Sequence, residues 1–120
     1  MSALASAHVA GQRSLFSAKP GDTNEATLYT CNARRATILS IIIANGTSSS
    51  ANATVRWRDS SASTDYDVVV SKAVAGNDTG FINEIVLELQ NADLIKITSG
   101  TASALTFTAL VSEYIGEMQV

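Results

Sequence analysis

Apolar side chains recur at every second position through much of the chain. Val55 and Trp57 alternate with Thr54, Arg56 and Arg58; Ile85, Leu87 and Leu89 with Glu84 and Glu88; Ile95 and Ile97 with Lys96 and Thr98; Leu105, Phe107 and Ala109 with Thr106 and Thr108. A period of two places the two sets on opposite faces of a β-strand, so these segments predict half-buried strands with the apolar set inward. Turn-forming clusters punctuate the runs at Lys19-Pro20-Gly21-Asp22, Asn45-Gly46-Thr47-Ser48, Asp59-Ser60-Ser61, Ala75-Gly76-Asn77-Asp78, Asn91-Ala92-Asp93 and Ser99-Gly100-Thr101. The spacing predicts strands over 13–18, 26–32, 36–45, 53–59, 66–74, 84–90, 94–99 and 104–114. The expected class is all-β: an antiparallel, jelly-roll-like β-sandwich of about eight strands. A helix competes over 84–95, because Glu and Leu are good helix formers. The strict Glu/apolar alternation there, and the turn at Asn91-Ala92-Asp93, favour strand.

One strand breaks the rule. Ile38, Leu39, Ile41, Ile42, Ile43 and Ala44 put apolar side chains on both faces, and one face of an antiparallel sheet ordinarily meets water. Something must cover the second face: either another part of the same chain, or a subunit contact of the kind an exposed apolar patch marks. On the contact reading, Leu39, Ile41 and Ile43 form the face that meets a partner. Val69, between Val68 and Val70, is a smaller case of the same kind. Outward Arg56 and Arg58 are expected either in cross-strand ion pairs, opposed by Glu84 and Glu88, or at an interface rim.

Length and charge narrow the field. A chain of 120 residues holds one domain, which buries roughly two thirds of its unfolded surface. Eight Lys plus Arg against eleven Asp plus Glu give a net charge of −3, which argues against nucleic acid, since counterion release needs clustered cations. No apolar run reaches the 18 or so residues that cross a bilayer as a helix, and one cysteine closes no internal disulfide. The 18 Ala, 15 Ser and 12 Thr favour small-residue strands and hydroxyl-rich turns over a helical core. Residues 1–12 carry no Lys or Arg and no sustained apolar centre, unlike a secretory signal. They are expected to form an extended N-terminal arm, with Leu4 and Val9 as its larger apolar contacts, that orders against a partner. Residues 13–120 then make the sandwich domain.

Material for chemistry is sparse. The single histidine, His8, lies in the arm, where no scaffold fixes it for catalysis. Cys31 lies in a predicted strand, where a thiol usually packs as a small hydrophobe. Asp59, Asp65, Asp67 and Asp78 fall near turns and could gather around a calcium ion, but their spacing matches no calcium loop, and Asp59 and Asp78 suit Asx turns. Three N-x-[ST] triplets, at Asn45, Asn52 and Asn77, are sugar acceptors only in a secreted eukaryotic setting. The expectation is a non-enzymatic protein with no cofactor and no metal.

The segment Thr27-Leu28-Tyr29-Thr30, a short turn, the Ile-rich strand and Asn45-Gly46-Thr47 together resemble a pattern of small bacteriophage virion proteins. The likeness continues through Glu84-Ile85-Val86-Leu87, the turn at Asp93 and the strand from Ile95 to Thr98, so it covers roughly residues 26–115. The family turn after T-L-Y-T carries Pro and Gly; here it reads Cys31-Asn32-Ala33-Arg34-Arg35. The resemblance implies a structural part of a phage particle: a capsid decoration (cement) protein, or a neck or tail component such as an adhesin module that binds host-surface glycans. It implies location in the virion, a homo-oligomer, with a trimer expected, and the major capsid protein or another virion protein as partner. Neither nucleic acid nor membrane is expected as a partner. A doubly apolar strand and an arm are what an assembly subunit needs.

Overall fold

The computed structural model describes residues 12–82 and 87–114, and the described residues form strands and turns with no helix. Nine strands follow in order: β1 (Gln12–Ala18), β2 (Ala26–Thr30), β3 (Arg35–Asn45), β4 (Ala51–Asp59), β5 (Thr64–Val74), β6 (Asp78–Ile82), β7 (Leu87–Gln90), β8 (Leu94–Ser99) and β9 (Leu105–Tyr114). They make two packed antiparallel sheets. The first has the order β1-β9-β3-β6, with β7 also on β3; the second is β2-β8-β4-β5. β6 lies along residues 41–45 of β3 and β7 along residues 35–38, so the two act as successive pieces of one edge. The pairs β1:β9, β2:β8, β3:β6/β7 and β4:β5 are therefore nested, like one long hairpin rolled over on itself, which is the jelly-roll arrangement.

Eight strands were expected and nine are found. The addition is β6, Asp-Thr-Gly-Phe-Ile, a segment whose glycine and leading Asp disguise it as an extension of the turn before it. In the described parts of the other strands the alternation is as read; Ile85 lies outside the described residues. Val55, Leu89, Ile95, Ile97, Leu105, Phe107 and Ala109 are fully buried between the sheets, and Trp57 packs against them half-buried. On one flank Phe16 of β1 meets Tyr29 of β2 edge to face, ring centroids 4.6 Å apart. The Tyr29 hydroxyl donates to Glu113, and burial, reinforced by that hydrogen bond, pushes the phenol's pKa upward.

The doubly apolar strand resolves through a β-bulge. Pairing of β3 with β9 shifts between Ile38 and Ser40, and the burial pattern changes phase at that point: Ala36 and Ile38 face the core, Leu39 and Ser40 are both half-buried, and Ile41 and Ile43 face the core again. One extra residue reverses the inward parity. Ile41 and Ile43, expected on the partner-facing side with Leu39, are instead wholly enclosed by the chain's own sheets, at 0% exposure. Ile42 and Ala44 take the outward positions.

Two buried polar groups hold the turns. Asn45 donates its amide to the carbonyls of Ser49 (2.8 Å) and Val74 (2.9 Å), while its Oδ1 accepts from the Thr47 N–H (2.9 Å) and hydroxyl (2.7 Å). Beside it the 46–49 and 75–77 turns touch backbone to backbone: the Asn77 N–H donates to Thr47 (2.8 Å), and a Cβ on Gly76 would lie 2.4 Å from the Ser48 carbonyl. At the other end Asp93 accepts from the N–H groups of Ser60 and Gln90, each at 3.0 Å, and from the Trp57 indole at 3.4 Å, tying the β7-to-β8 crossover to the end of β4. That crossover turns at Ala92, whose φ is 78°.

Both ends make predictions. Asn45→Ala and Gly76→Ala should each cost about 2 kcal/mol, the first by leaving buried carbonyls and an N–H unpaired and the second by a backbone clash. Because the two residues support one pair of turns, the double variant should cost less than the sum; urea titration reads all three. Ala92 occupies the position of a four-residue turn, closed by the Asp93 N–H on Gln90, where a positive φ favours glycine. Ala92→Gly should raise stability by up to about 1 kcal/mol, measured as an upward shift of a few degrees in Tm; a lower Tm would contradict it.

Candidate protein-interaction surface

The two outer faces of the sandwich differ in kind. On the second sheet, outward residues of β4, β5 and β8 and the residue preceding β2 form a balanced ion-pair cluster. Arg56 bonds Asp67 (Nε to Oδ1, 3.0 Å) and approaches Glu25 (3.8 Å), Arg58 bonds Asp65 (3.1 Å), and Lys96 reaches both Glu25 (3.2 Å) and Asp65 (3.7 Å). Three cations and three carboxylates satisfy one another there, so Arg56 and Arg58 are engaged within the chain. Their partners are not those expected: Glu88 lies on the other sheet, where it accepts from the Thr37 hydroxyl at 2.9 Å, and Glu84 falls outside the described residues.

Among the described residues the outer face of the first sheet carries no such network. Strand register sorts its outward side chains into rows. At one end lie Tyr114, Arg35 and Gln90, the Arg35 guanidinium 4.6 Å over the Tyr114 ring, followed by a row of Arg13, Ser112, Thr37 and Glu88. The next holds Leu15, Leu110 and Ser40, and the third Ser17, Thr108, Ile42 and Phe81; Thr106, Ala44 and Thr79 follow. Among the described residues the last three rows contain no ionisable side chain. Leu15 is 67% and Phe81 60% exposed, at opposite edges, with Leu110, Leu39 and Ile42 half-buried between them. Hydroxyls fill the gaps, Ser17 bonding Thr108 at 2.9 Å. These apolar rows, uncharged among the described residues, have the composition of an exposed apolar patch bordered by charge at one end.

Of the interface residues expected from sequence, Leu39 borders this face, Ile41 and Ile43 are in the core beneath it, and Arg56 and Arg58 are on the opposite sheet. One flat contact cannot include them all. Leu4 and Val9 lie outside the described residues, as does His8. The face also carries Leu15, Ile42, Leu110 and Phe81, which are not among the contact residues expected from sequence. Leu110 had a signal, since it continues the outward parity of Thr106 and Thr108.

The other singled-out residues take structural places. Cys31 is fully buried, its thiol pushed up in pKa by burial, with Sγ 3.5 Å from the Ala33 carbonyl. Asp59 Oδ1 accepts from Ser61 and from the Ala62 N–H, capping its turn as an Asx residue does, whereas Asp78 opens β6 and its Oδ1 accepts from the adjacent Thr79 N–H, which is not an Asx turn. Asp65 and Asp67 belong to the ion-pair cluster. Among the described residues no group of three His, Cys, Asp or Glu side chains is placed to hold a metal ion. Asn45 of the first N-x-[ST] triplet is buried with its amide fully bonded, an internal clamp.

No family model and no curated protein matches the chain. Among solved structures it is similar to CapF with the inhibitor 3-isopropenyl-tropolone, at 14% identity and a TM-score of 0.46, covering 86% of this chain and 24% of that one. It is similar to the CBM22-1 and GH10 modules of Clostridium thermocellum endo-1,4-beta-D-xylanase 10B complexed with xylohexaose, at 11% identity and a TM-score of 0.38, covering 87% and 25%. It is similar to infectious bursal disease virus, Gx strain, at 8% identity and a TM-score of 0.45, covering 91% and 34%. The chain spans between a quarter and a third of the length of these proteins. Likenesses this distant concern the β-sandwich alone.

The ion-pair face makes a pH prediction. The hydrogen bond from Arg58 chiefly, and the nearby Lys96 charge, hold the Asp65 carboxyl below the usual carboxylate range. A depressed folded-state pKa contributes stability that is present above the unfolded value, near 4, and is lost as pH falls through the folded value. Asp65→Asn should therefore reduce the drop in stability below about pH 4, and added salt should shrink the difference between the two proteins, because the cluster is exposed. Identical acid limbs in low salt would contradict the assignment.

Proposed function

We propose that this chain is a non-enzymatic structural protein of a bacteriophage particle, a capsid decoration protein that docks on the shell through the outer face of its first sheet. The observation that carries this reading is the unequal treatment of the two outer faces. One is neutralised internally by paired charges, and the other presents Leu15, Leu110, Ile42 and Phe81 among hydroxyls with no ionisable group, among the described residues, in three successive rows. A soluble domain gains nothing from such a face alone, since its exposed apolar area is a cost in water. A subunit held on a lattice does, because covering that area drives attachment. The jelly roll suits this role, being a scaffold used in viral shells and in lectins. The sequence resemblance to small phage virion proteins points the same way, with the virion as location and the major capsid protein as partner. A neck or tail position would use the same face, and the choice of particle fraction separates the two.

The test is co-sedimentation of purified protein with empty shells and, separately, with tails. Binding to shells that persists in high salt is expected, because apolar contacts are not screened. Phe81→Asp and Ile42→Asp should weaken binding about tenfold or more by placing an unpaired charge in a dry contact, while Arg56→Ala should leave it unchanged. Binding lost in Arg56→Ala and kept in Phe81→Asp would move the contact to the other face. Binding to tails alone would make the chain a tail component, and binding to neither would refute the virion reading.

A further inference from the structure

The end strands of a sheet carry N–H and C=O groups with no ladder partner, and such an edge accepts another strand unless something blunts it. Three of the four edges here are blunted. β5 loses register with β4 at two places, has Ser71 at a φ of 47° in its length, and carries Asp65, Asp67 and Lys72. β2 is five residues long with a register shift between Thr27 and Tyr29. The third edge is divided between β6 and β7, of five and four residues. Among the described residues β1 alone is unguarded. Its seven residues pair with β9 in unbroken register from Gln12↔Glu113 to Ala18↔Phe107, its one charged residue is Arg13, and Leu15 at its centre is 67% exposed.

We infer that two copies of this chain join edge to edge through β1, antiparallel about a two-fold axis at Leu15 perpendicular to the sheet. In this register Leu15 lies opposite Leu15 of the second copy, Ser14 opposite Phe16, and Arg13 opposite Ser17, so no like charges face each other. All seven residues are paired, and the contact is self-complementary, as a two-fold interface requires. The axis direction keeps the outer faces of both first sheets on one side, so Leu15, Leu110, Ile42 and Phe81 of the two copies form one continuous apolar surface. The inference rests on the contrast among edges, independently of any shell, and it replaces the expected trimer with a dimer.

The test uses the isolated full chain, so its outcome is separate from that of shell binding. Sedimentation at micromolar concentration should give twice 12.5 kDa, about 25 kDa, and Leu15→Lys should return the mass to 12.5 kDa with an unchanged melting temperature. Leu15→Cys should cross-link under mild oxidation, because directly opposed residues bring their Cβ atoms to about 5 Å. Ser17→Cys should not, since the two copies of residue 17 sit four positions apart, roughly 14 Å. Cys31, fully buried, does not compete. A monomer at every concentration, a mass of three copies, or cross-linking at 17 as efficient as at 15 would each overturn the proposal. It would also fall if the full chain were monomeric and deletion of residues 1–11 released dimers, in which case the leading segment occupies the edge in its own chain.

Discussion

The structure depends on how β3 serves two sides at once. It is the central strand of the first sheet, paired with β9 along one edge and with β6 and β7 along the other, so its backbone is committed over eleven residues. Its side chains must fill a core below while leaving a tolerable surface above. A regular strand reading Ile38-Leu39-Ser40-Ile41-Ile42-Ile43 would direct Ile38, Ser40 and Ile42 to one face and Leu39, Ile41 and Ile43 to the other, burying a serine on one choice and exposing Ile38 on the other. The extra residue between Ile38 and Ser40 removes the conflict: Ile38, Ile41 and Ile43 all enter the core, and Ser40 turns outward. What stays outside is a band of Leu39, Ile42 and the outward residues of the flanking strands, and it gives the first sheet its apolar character.

That band contrasts with the other sheet because of where the charges lie in sequence. Arg56, Arg58, Asp65 and Asp67 flank a single turn between β4 and β5, so the hairpin register itself brings Arg56 opposite Asp67 and Arg58 opposite Asp65. Lys96 enters from β8 and Glu25 from the approach to β2, both beside the same two arginines. Exposed pairs of this kind add little stability. Their effect is on the character of the surface, since they leave one face hydrated and self-neutralised while the other stays apolar.

Much of this was legible in the sequence. The alternation over 53–59, 94–99 and 104–114 gave the strands and their inward sets, because period two follows directly from strand geometry. The turn at Asn91-Ala92-Asp93 was readable from its residue types. A bulge, by contrast, leaves no mark in a binary pattern, so Ile41 and Ile43 were assigned to the wrong face although the excess of apolar side chains on β3 was correctly seen. The β6 strand was hidden for a different reason: five residues beginning with Asp and containing Gly have weak strand propensity, and pairing with residues 41–45 of β3 supplies what propensity does not. The ion pairs were misassigned because sheet membership is a long-range property; β7 and Glu88 join β3, not β4.

The buried clamps explain why so apolar a face can be kept without loss of a defined fold. Asn45 and Asp93 sit at opposite ends of the sandwich, each bonded to several backbone groups from turns distant in sequence, and they fix the strand register through directional bonds. A one-residue slip in the first sheet would carry its buried set, Ile38, Ile41, Ile43, Phe107 and Val111 among it, to the outer face, so burial works with the clamps to hold the register. With register held at the ends and by the β3 bulge, the outer positions Leu15, Ile42 and Phe81 are released from structural duty. Residues that hold the molecule together and residues of the outer apolar band are thus separate sets, so a change in the second leaves the clamps and the core that keep the sandwich intact.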